Sequence, residues 1–285
     1  MTDFLSPRSL DEALDALASD GEGLRPVSGA TDIVVWVRDG RMEVRRYLNL
    51  SYLGGALRYI HEEDGHLVLG GLTTITDLLK SELIERHARA LWEAGVLFGS
   101  VQIRNRATVA GNLATASPSG DTLPPLLALG TEVVLQSRSG VRRVPFEGFM
   151  TGPGRTVRRP DELITAVRFP KMESRETSFY RRLALRDALA ISVAGVAVRL
   201  KRGEGSAFTG ARVALGAVAP TVCRATEAEE ALTSGPVGLN DLMDIGELAA
   251  RPAEPISAVR ASAAYRKALI PALFDQRMYD FHSEG

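Results

Sequence analysis

Residues 102–124, QIRNRATVAGNLATASPSGDTLP, constrain this chain more than any other stretch. They place small residues at Gly111, Ala114, Ala116 and Gly120, hydroxyls at Thr108, Thr115, Ser117 and Ser119, one carboxylate at Asp121, and the stiffening Pro118 and Pro124. Side chains this small let backbone amides approach a bulky anionic ligand closely. No Lys follows a Gly in the P-loop manner, so positive potential has to come from backbone N–H groups, hydroxyls and Arg104 or Arg106. A cradle for a phosphate-bearing cofactor and a ligand-free surface loop both satisfy this composition.

A second turn of the same kind, Gly29-Ala30-Thr31-Asp32, follows a short predicted strand at residues 25–28 and precedes the apolar Ile33, Val34, Trp36 and Val37. Strand, glycine turn and helix start aim N–H groups at an anion, although no Rossmann GxGxxG is present. Asp32 and Asp121 are the carboxylates of the two loops; hydroxyls or ring N–H groups of a nucleotide, a paired-acid site and local turn amides are all open uses for them. Two such loops suit a diphosphate-bearing cofactor lying across a cleft between subdomains.

With 285 residues and 45% hydrophobic content, length suggests two domains. The single Cys223 excludes an internal disulfide framework or an all-cysteine iron–sulfur centre within the chain. His61, His66, His87 and His282 form no HExxH-like cluster, and neither His nor Cys lies in the glycine-rich stretches to anchor a flavin covalently. Lys and Arg number 34 against 35 Asp and Glu, a balance that argues against binding nucleic acid by phosphate neutralisation. No apolar span of eighteen residues and no export-type leader is present, so the expected location is cytoplasmic with no membrane span.

Ser9 and Glu12 read as a capping box for a helix bearing Leu10, Ala13, Leu14 and Leu17. A strand at 47–50 closes a unit over about 1–55. Residues 57–61 and 67–69 predict a hairpin across Glu63-Asp64-Gly65, Thr74 caps a short helix, and 83–97 predict one helix with His87 on its packed side. A buried helical turn at Leu126, Leu127 and Leu129 precedes a second hairpin, 132–136 with 141–145, core anchors Phe146 and Phe149, and a strand opening at Leu163. The boundary falls near Pro170, with 171–178 a polar connector. Residues 179–285 predict an α+β domain: strands at 188–200 and 211–218, then helices near 226–233, 239–248 and from 258, the last interrupted or kinked at Pro271. Its Arg260, Arg266, Lys267 and Arg277 read as a solvated face.

An ordered set of motifs then resembles the FAD-binding medium subunit of the molybdenum hydroxylase family, of xanthine dehydrogenase and carbon monoxide dehydrogenase type. The set runs through Phe4-Leu5-Ser6-Pro7, Ser28-Gly29-Ala30-Thr31-Asp32, Gly70-Gly71-Leu72-Thr73-Thr74, Gln102-Ile103-Arg104-Asn105, residues 108–112, Ala116-Ser117-Pro118, Asp121 with Pro124, Phe149 with Gly152, Pro160-Asp161-Glu162-Leu163-Ile164 and Tyr265-Arg266. The resemblance covers nearly the whole chain. It implies an α+β fold: a two-lobed, vanillyl-alcohol-oxidase-like FAD-binding domain over 1–170 (subdomains about 1–55 and 56–170), and a C-terminal α+β domain with an antiparallel sheet over 179–285.

By the same resemblance, Gly29, Ala30, Thr31 and Asp32 match the first pyrophosphate loop, led into by Arg25, Val27 and Ser28. Gly111, Asn112 and Thr115 match the second, flanked by Val101, Ala110 and Ser117. Asp121 matches a residue that hydrogen-bonds the flavin side, Leu163 a position near the rings, and Arg181 or Arg182 a family lysine near the flavin. Members of the family usually carry Gly where this chain has Ala30 and Ala110, a change that matters only where φ is positive. Arg for Lys keeps the charge but alters reach and planarity. The implied function is electron transfer through non-covalent FAD, from [2Fe–2S] clusters of a small subunit, fed by a molybdenum-cofactor large subunit, to NAD or another acceptor. A stand-alone FAD-dependent reductase or oxidase and a non-catalytic assembly subunit are the alternatives.

Overall fold

A computed structural model describes residues 3–205 and 207–283; the side chains of 277 and 279–283 lie outside the description. Near the start, the Ser9 hydroxyl accepts the Glu12 N–H at 3.2 Å and caps α1 (Leu10–Asp20). The Glu12 carboxylate takes the Arg8 N–H, so only half of the expected box forms. Strands β1 (Asp3–Leu5), β2 (Leu24–Val27) and β3 (Arg46–Asn49) are parallel in the order β1-β3-β2. Parallel strands need crossovers, which α1 and α2 (Ile33–Arg38) supply. Leu14, Leu17, Leu24, Leu48 and Leu53 form the core beneath them.

After the single turn α3 (Gly54–Leu57), β4 (Ile60–Glu63) and β5 (His66–Gly70) make the predicted hairpin. Positive φ at Asp64 and Gly65 gives its two-residue turn the twist that paired strands favour. The first strand starts at Ile60, since Leu57 still belongs to α3 and residues 58–59 are neither helix nor strand. Thr74 and Asp77 complete a capping box at α4 (Ile75–Lys80). The single helix expected over 83–97 is instead α5 (Glu82–His87) and α6 (Arg89–Leu97). The break is at Ala88, whose φ of −153° is extended, and Ile84, Ala88, Ala90, Leu91 and Ala94 point inward across it.

Three short helices follow, α7 (Val101–Arg104), α8 (Val109–Thr115) and the wholly buried α9 (Leu123–Ala128). The hairpin of β6 (Glu132–Ser137) and β7 (Gly140–Pro145) is as predicted, and Phe146 and Phe149 are buried beyond it. A small hairpin, β8 (Met150–Gly152) with β9 (Arg155–Thr156), precedes β10 (Leu163–Pro170). The last is the middle strand of an antiparallel sheet, β4-β5-β10-β6-β7, which explains its nearly continuous apolar run.

The remainder is the four-stranded antiparallel sheet β11 (Glu176–Ala184), β12 (Ser192–Arg202), β13 (Phe208–Gly216) and β14 (Cys223–Arg224), followed by α10 (Thr226–Thr233), α11 (Leu239–Ala250) and α12 (Ala263–Ser283). The supposed connector already enters β11 at Glu176, and β12 starts only at Ser192. Charges at Arg181 and Arg182 interrupt the apolar alternation that would have announced β11. The long helix begins at Ala263 and runs through Pro271 without interruption, held by buried Ile270, Phe274 and Met278. Arg266 is not solvated but 4% exposed, because its side of α12 is packed inward, whereas Lys267 is exposed. Arg260 is half-buried, and the Arg277 side chain lies outside those described.

The chain forms two compact units, neither continuous in sequence. One comprises 1–81, 100–116 and 131–170; the other comprises 82–99, 117–130 and 171–285. No helix among the described residues is long and apolar enough to cross a membrane.

Candidate functional site

The first loop leaves the carboxyl end of parallel strand β2, the end at which open parallel sheets present ligands. Val27 is the last residue of β2, and its carbonyl accepts the Leu50 N–H at 2.9 Å, fixing where the loop begins. Ala30 then adopts φ +62°, the left-handed region. Among the described residues, the N–H groups of Ala30, Thr31 and Asp32 meet no protein acceptor. Asp32 precedes α2 without capping it. Its carboxylate instead accepts the Thr115 hydroxyl at 2.8 Å, and the Ser28 and Thr108 hydroxyls are bonded at 2.9 Å. The first loop and the 108–115 part of the second are therefore tied together within one unit. Gly29 makes this approach possible: a Cβ there would lie 2.0 Å from the Arg106 carbonyl oxygen.

At the second loop the donors differ from expectation. Thr108 caps α8 by accepting the Gly111 N–H at 3.1 Å. The Val109 N–H donates to Thr73 O at 3.0 Å and the Ala110 N–H to Gly71 O at 3.3 Å. The first-turn N–H groups of α8 are thus engaged by the protein and form no free backbone cradle. Gly111 is required by the cap itself, since a Cβ would stand 2.9 Å from Thr108 Oγ1.

Ala30 and Ala110, where the resemblance implies glycine, separate on this geometry. Ala30→Gly removes left-handed strain of about 1–2 kcal/mol at the cost of a more flexible unfolded chain, for a net gain of about 0.5–1 kcal/mol. Ala110 is helical, so Ala110→Gly loses about 0.5–1 kcal/mol. Urea unfolding of the two variants checks the opposite signs.

The other predicted residues are dispersed. Arg25 is half-buried on β2, and its charge adds to burial in pulling the Arg158 guanidinium below its usual pKa. Leu163 lies in the leucine core against Leu72, and Val101 is 58% exposed at the start of α7.

Ser117, Asp121, Arg181 and Arg182 belong to the second unit. Asp121 is buried and accepts three side chains there. Arg182 Nη1 donates to Oδ2 at 2.7 Å, while Ser192 Oγ at 2.6 Å and Tyr180 Oη at 3.2 Å donate to Oδ1. Burial pushes the Asp121 carboxyl up, against the pull of Arg182 and of these donors. Burial, then the Asp121 charge, raises Tyr180 well above the usual tyrosine range. Arg182 also holds Leu97 O at 2.6 Å and Ala190 O at 3.2 Å. Of the two arginines, Arg182 is thus the one joined to Asp121. Sequence reasoning missed Tyr180 and Ser192; the period of two along β11 puts Tyr180 and Arg182 on one face and was the available signal. Ser117 Oγ accepts the Ser119 N–H at 3.3 Å, shaping the turn that leads to Asp121. Burial pushes the Cys223 thiol up to about 11, which disfavours its thiolate.

Comparison with known proteins gives consistent matches along the chain. Residues 1–172 match the family described as the FAD binding domain in molybdopterin dehydrogenase, and 178–280 match the CO dehydrogenase flavoprotein C-terminal domain. A putative xanthine dehydrogenase FAD-binding subunit of Escherichia coli K12 is 32% identical, over 96% of this chain and 94% of that one. The nicotinate dehydrogenase FAD-subunit of Eubacterium barkeri is 29% identical over 98% and 95%. Among solved structures, a chain of carbon monoxide dehydrogenase from Hydrogenophaga pseudoflava, in a form lacking the Mo-pyranopterin moiety, superposes with a TM-score of 0.92 at 26% identity, covering 96% of this chain and 95% of that chain.

Proposed function

Since the chain belongs to the family of FAD-binding subunits of molybdenum hydroxylases, which are oxidoreductases, we propose that it is the electron-transfer subunit of such a complex. In this reading it takes electrons from [2Fe–2S] clusters of a small subunit, supplied by a molybdenum-cofactor large subunit, and passes them to NAD or another acceptor. The observation that carries it is the run of N–H groups at Ala30, Thr31 and Asp32, without protein acceptors and beside a left-handed residue. Such a run fits an anionic diphosphate.

Each part of the chain then has a task. The Ala30, Thr31 and Asp32 N–H groups would bind the diphosphate and the Asn112 side chain on α8 would orient it, while Thr115, whose hydroxyl proton goes to Asp32, holds the first loop against α8. The bond from Thr115 to Asp32 keeps the Asp32 carboxylate from turning toward the phosphate charge. In the other unit, Arg182 is pinned by Asp121 and by two carbonyls, so its cation keeps a fixed position. FAD, when bound, supplies the capacity to accept electrons one at a time and deliver them as a hydride to a two-electron acceptor.

Isolating the native complex through a tag on this chain tests the assignment. Iron and molybdenum in co-purifying subunits, together with anaerobic bleaching of the flavin by NADH, are the expected results. A metal-free flavoprotein that oxidises an organic substrate alone overturns the subunit role, and bleaching by a quinol but not by NADH overturns NAD as acceptor.

A further inference from the structure

We propose that Arg266, on the C-terminal helix α12, is a positioning residue for the loop from Ser117 to Asp121, a role that rests on the FAD reading above. Arg266 is 4% exposed, and its Nη1 donates to the Ala217 carbonyl at 3.2 Å. Among the described residues its Nε and Nη2 meet no acceptor. Burial, then the charge of Arg260, lowers its pKa. A buried cation without a carboxylate is costly, so ion-pair stability does not account for it.

The Ala217 peptide does. Ala217 adopts φ +63°, a left-handed conformation at a non-glycine residue, and so needs support from its surroundings. In that conformation its N–H donates to the Pro118 carbonyl at 2.8 Å. Gly216, one residue earlier, is pressed against Pro124, where a Cβ would stand 2.4 Å from the ring Cγ. The 216–217 segment therefore touches both prolines that bracket Asp121, and Arg266 grips its carbonyl. Asp121 is held from the other side by Arg182, Ser192 and Tyr180. A strained peptide buttressed by a guanidinium thus carries the register of the loop.

The test titrates FAD into the full apo chain, comparing wild type, Arg266→Met, Arg266→Lys and, as a packing control on the same helix, Ile270→Ala. Arg266→Met is expected to weaken FAD about tenfold, as loss of a charge-assisted bond would, and Arg266→Lys to recover part of it. Faster amide exchange at Ala217 and Gly120 accompanies both. Ile270→Ala should lower the unfolding midpoint yet leave FAD affinity within about twofold. Unchanged affinity in Arg266→Met, or an equal loss in Ile270→Ala at matched stability, overturns the proposal. Should the Met variant not fold, the Lys variant decides, and unchanged exchange at Ala217 and Gly120 sinks the idea. A wild-type chain that binds no FAD contradicts the cofactor reading instead, and amide exchange still tests the grip on the loop.

Discussion

Arg182→Met is expected to destabilise the chain by about 3–5 kcal/mol near neutral pH, the scale for removing one partner of a buried ion pair. The Arg182 and Asp121 side chains are only 3% and 9% exposed, so solvent cannot replace the lost cation. Ser192 and Tyr180 still donate to the carboxylate, but neither carries charge. The pH dependence has a definite sign. Burial raises the folded-state pKa of Asp121 above its unfolded value, so the folded chain holds this proton more tightly. Stability from that source is present at low pH and is lost as pH rises through the folded value. Without Arg182 the folded value climbs further, and the deficit should therefore shrink as the pH falls. Denaturant melts of wild type and variant over a pH series check it. A deficit that grows on acidification contradicts the description of Asp121 as a buried carboxylate neutralised by Arg182.

Gly29→Ala is the second large effect, and it couples the fold to the cofactor. The new Cβ would stand 2.0 Å from the oxygen and 2.6 Å from the carbon of the Arg106 carbonyl, and both are backbone atoms. Relief requires the first loop to move off residues 106–107, which strains the Ser28–Thr108 and Asp32–Thr115 bonds on either side. The overpacking cost is about 1–3 kcal/mol or more. Because Ala30, Thr31 and Asp32 carry the free N–H groups, flavin content should fall with stability. Gly54→Ala is the matched control. Gly54 has φ −56° with nothing within 4 Å of the added Cβ, so this change should be neutral or mildly stabilising and leave flavin content intact. Unfolding midpoints and flavin-to-protein absorbance ratios of the two variants decide the matter. Equal flavin content in both would detach Gly29 from the site.

Much of this was legible from residue pattern. The β4–β5 and β6–β7 hairpins follow from short apolar runs around turn residues, and α1 and α4 from their caps, because these are local devices. The two glycine loops announced themselves by composition. What pattern could not supply is non-local. Nothing in residues 102–124 says that the chain passes from one compact unit to the other after Ala116, or that Thr115 bonds Asp32, 83 residues earlier. The α8 amides looked available as phosphate donors, yet carbonyls of Gly71 and Thr73 occupy two of them. Arg266 looked solvated because it lies among other basic residues, and only its packing against Ala217 shows otherwise. That Arg182 joins Asp121 could not be read without the position of the partner carboxylate. Ala30 could be weighed only once its φ was in hand.

The most direct test of the central claim is the flavin content of the purified full chain, measured after acid or heat precipitation. About one FAD per chain, all of it released into the supernatant, is the expected result for a non-covalent site built from backbone amides and small polar side chains. A colourless chain that does not take up added FAD, or flavin that stays with the precipitated protein, would contradict the account.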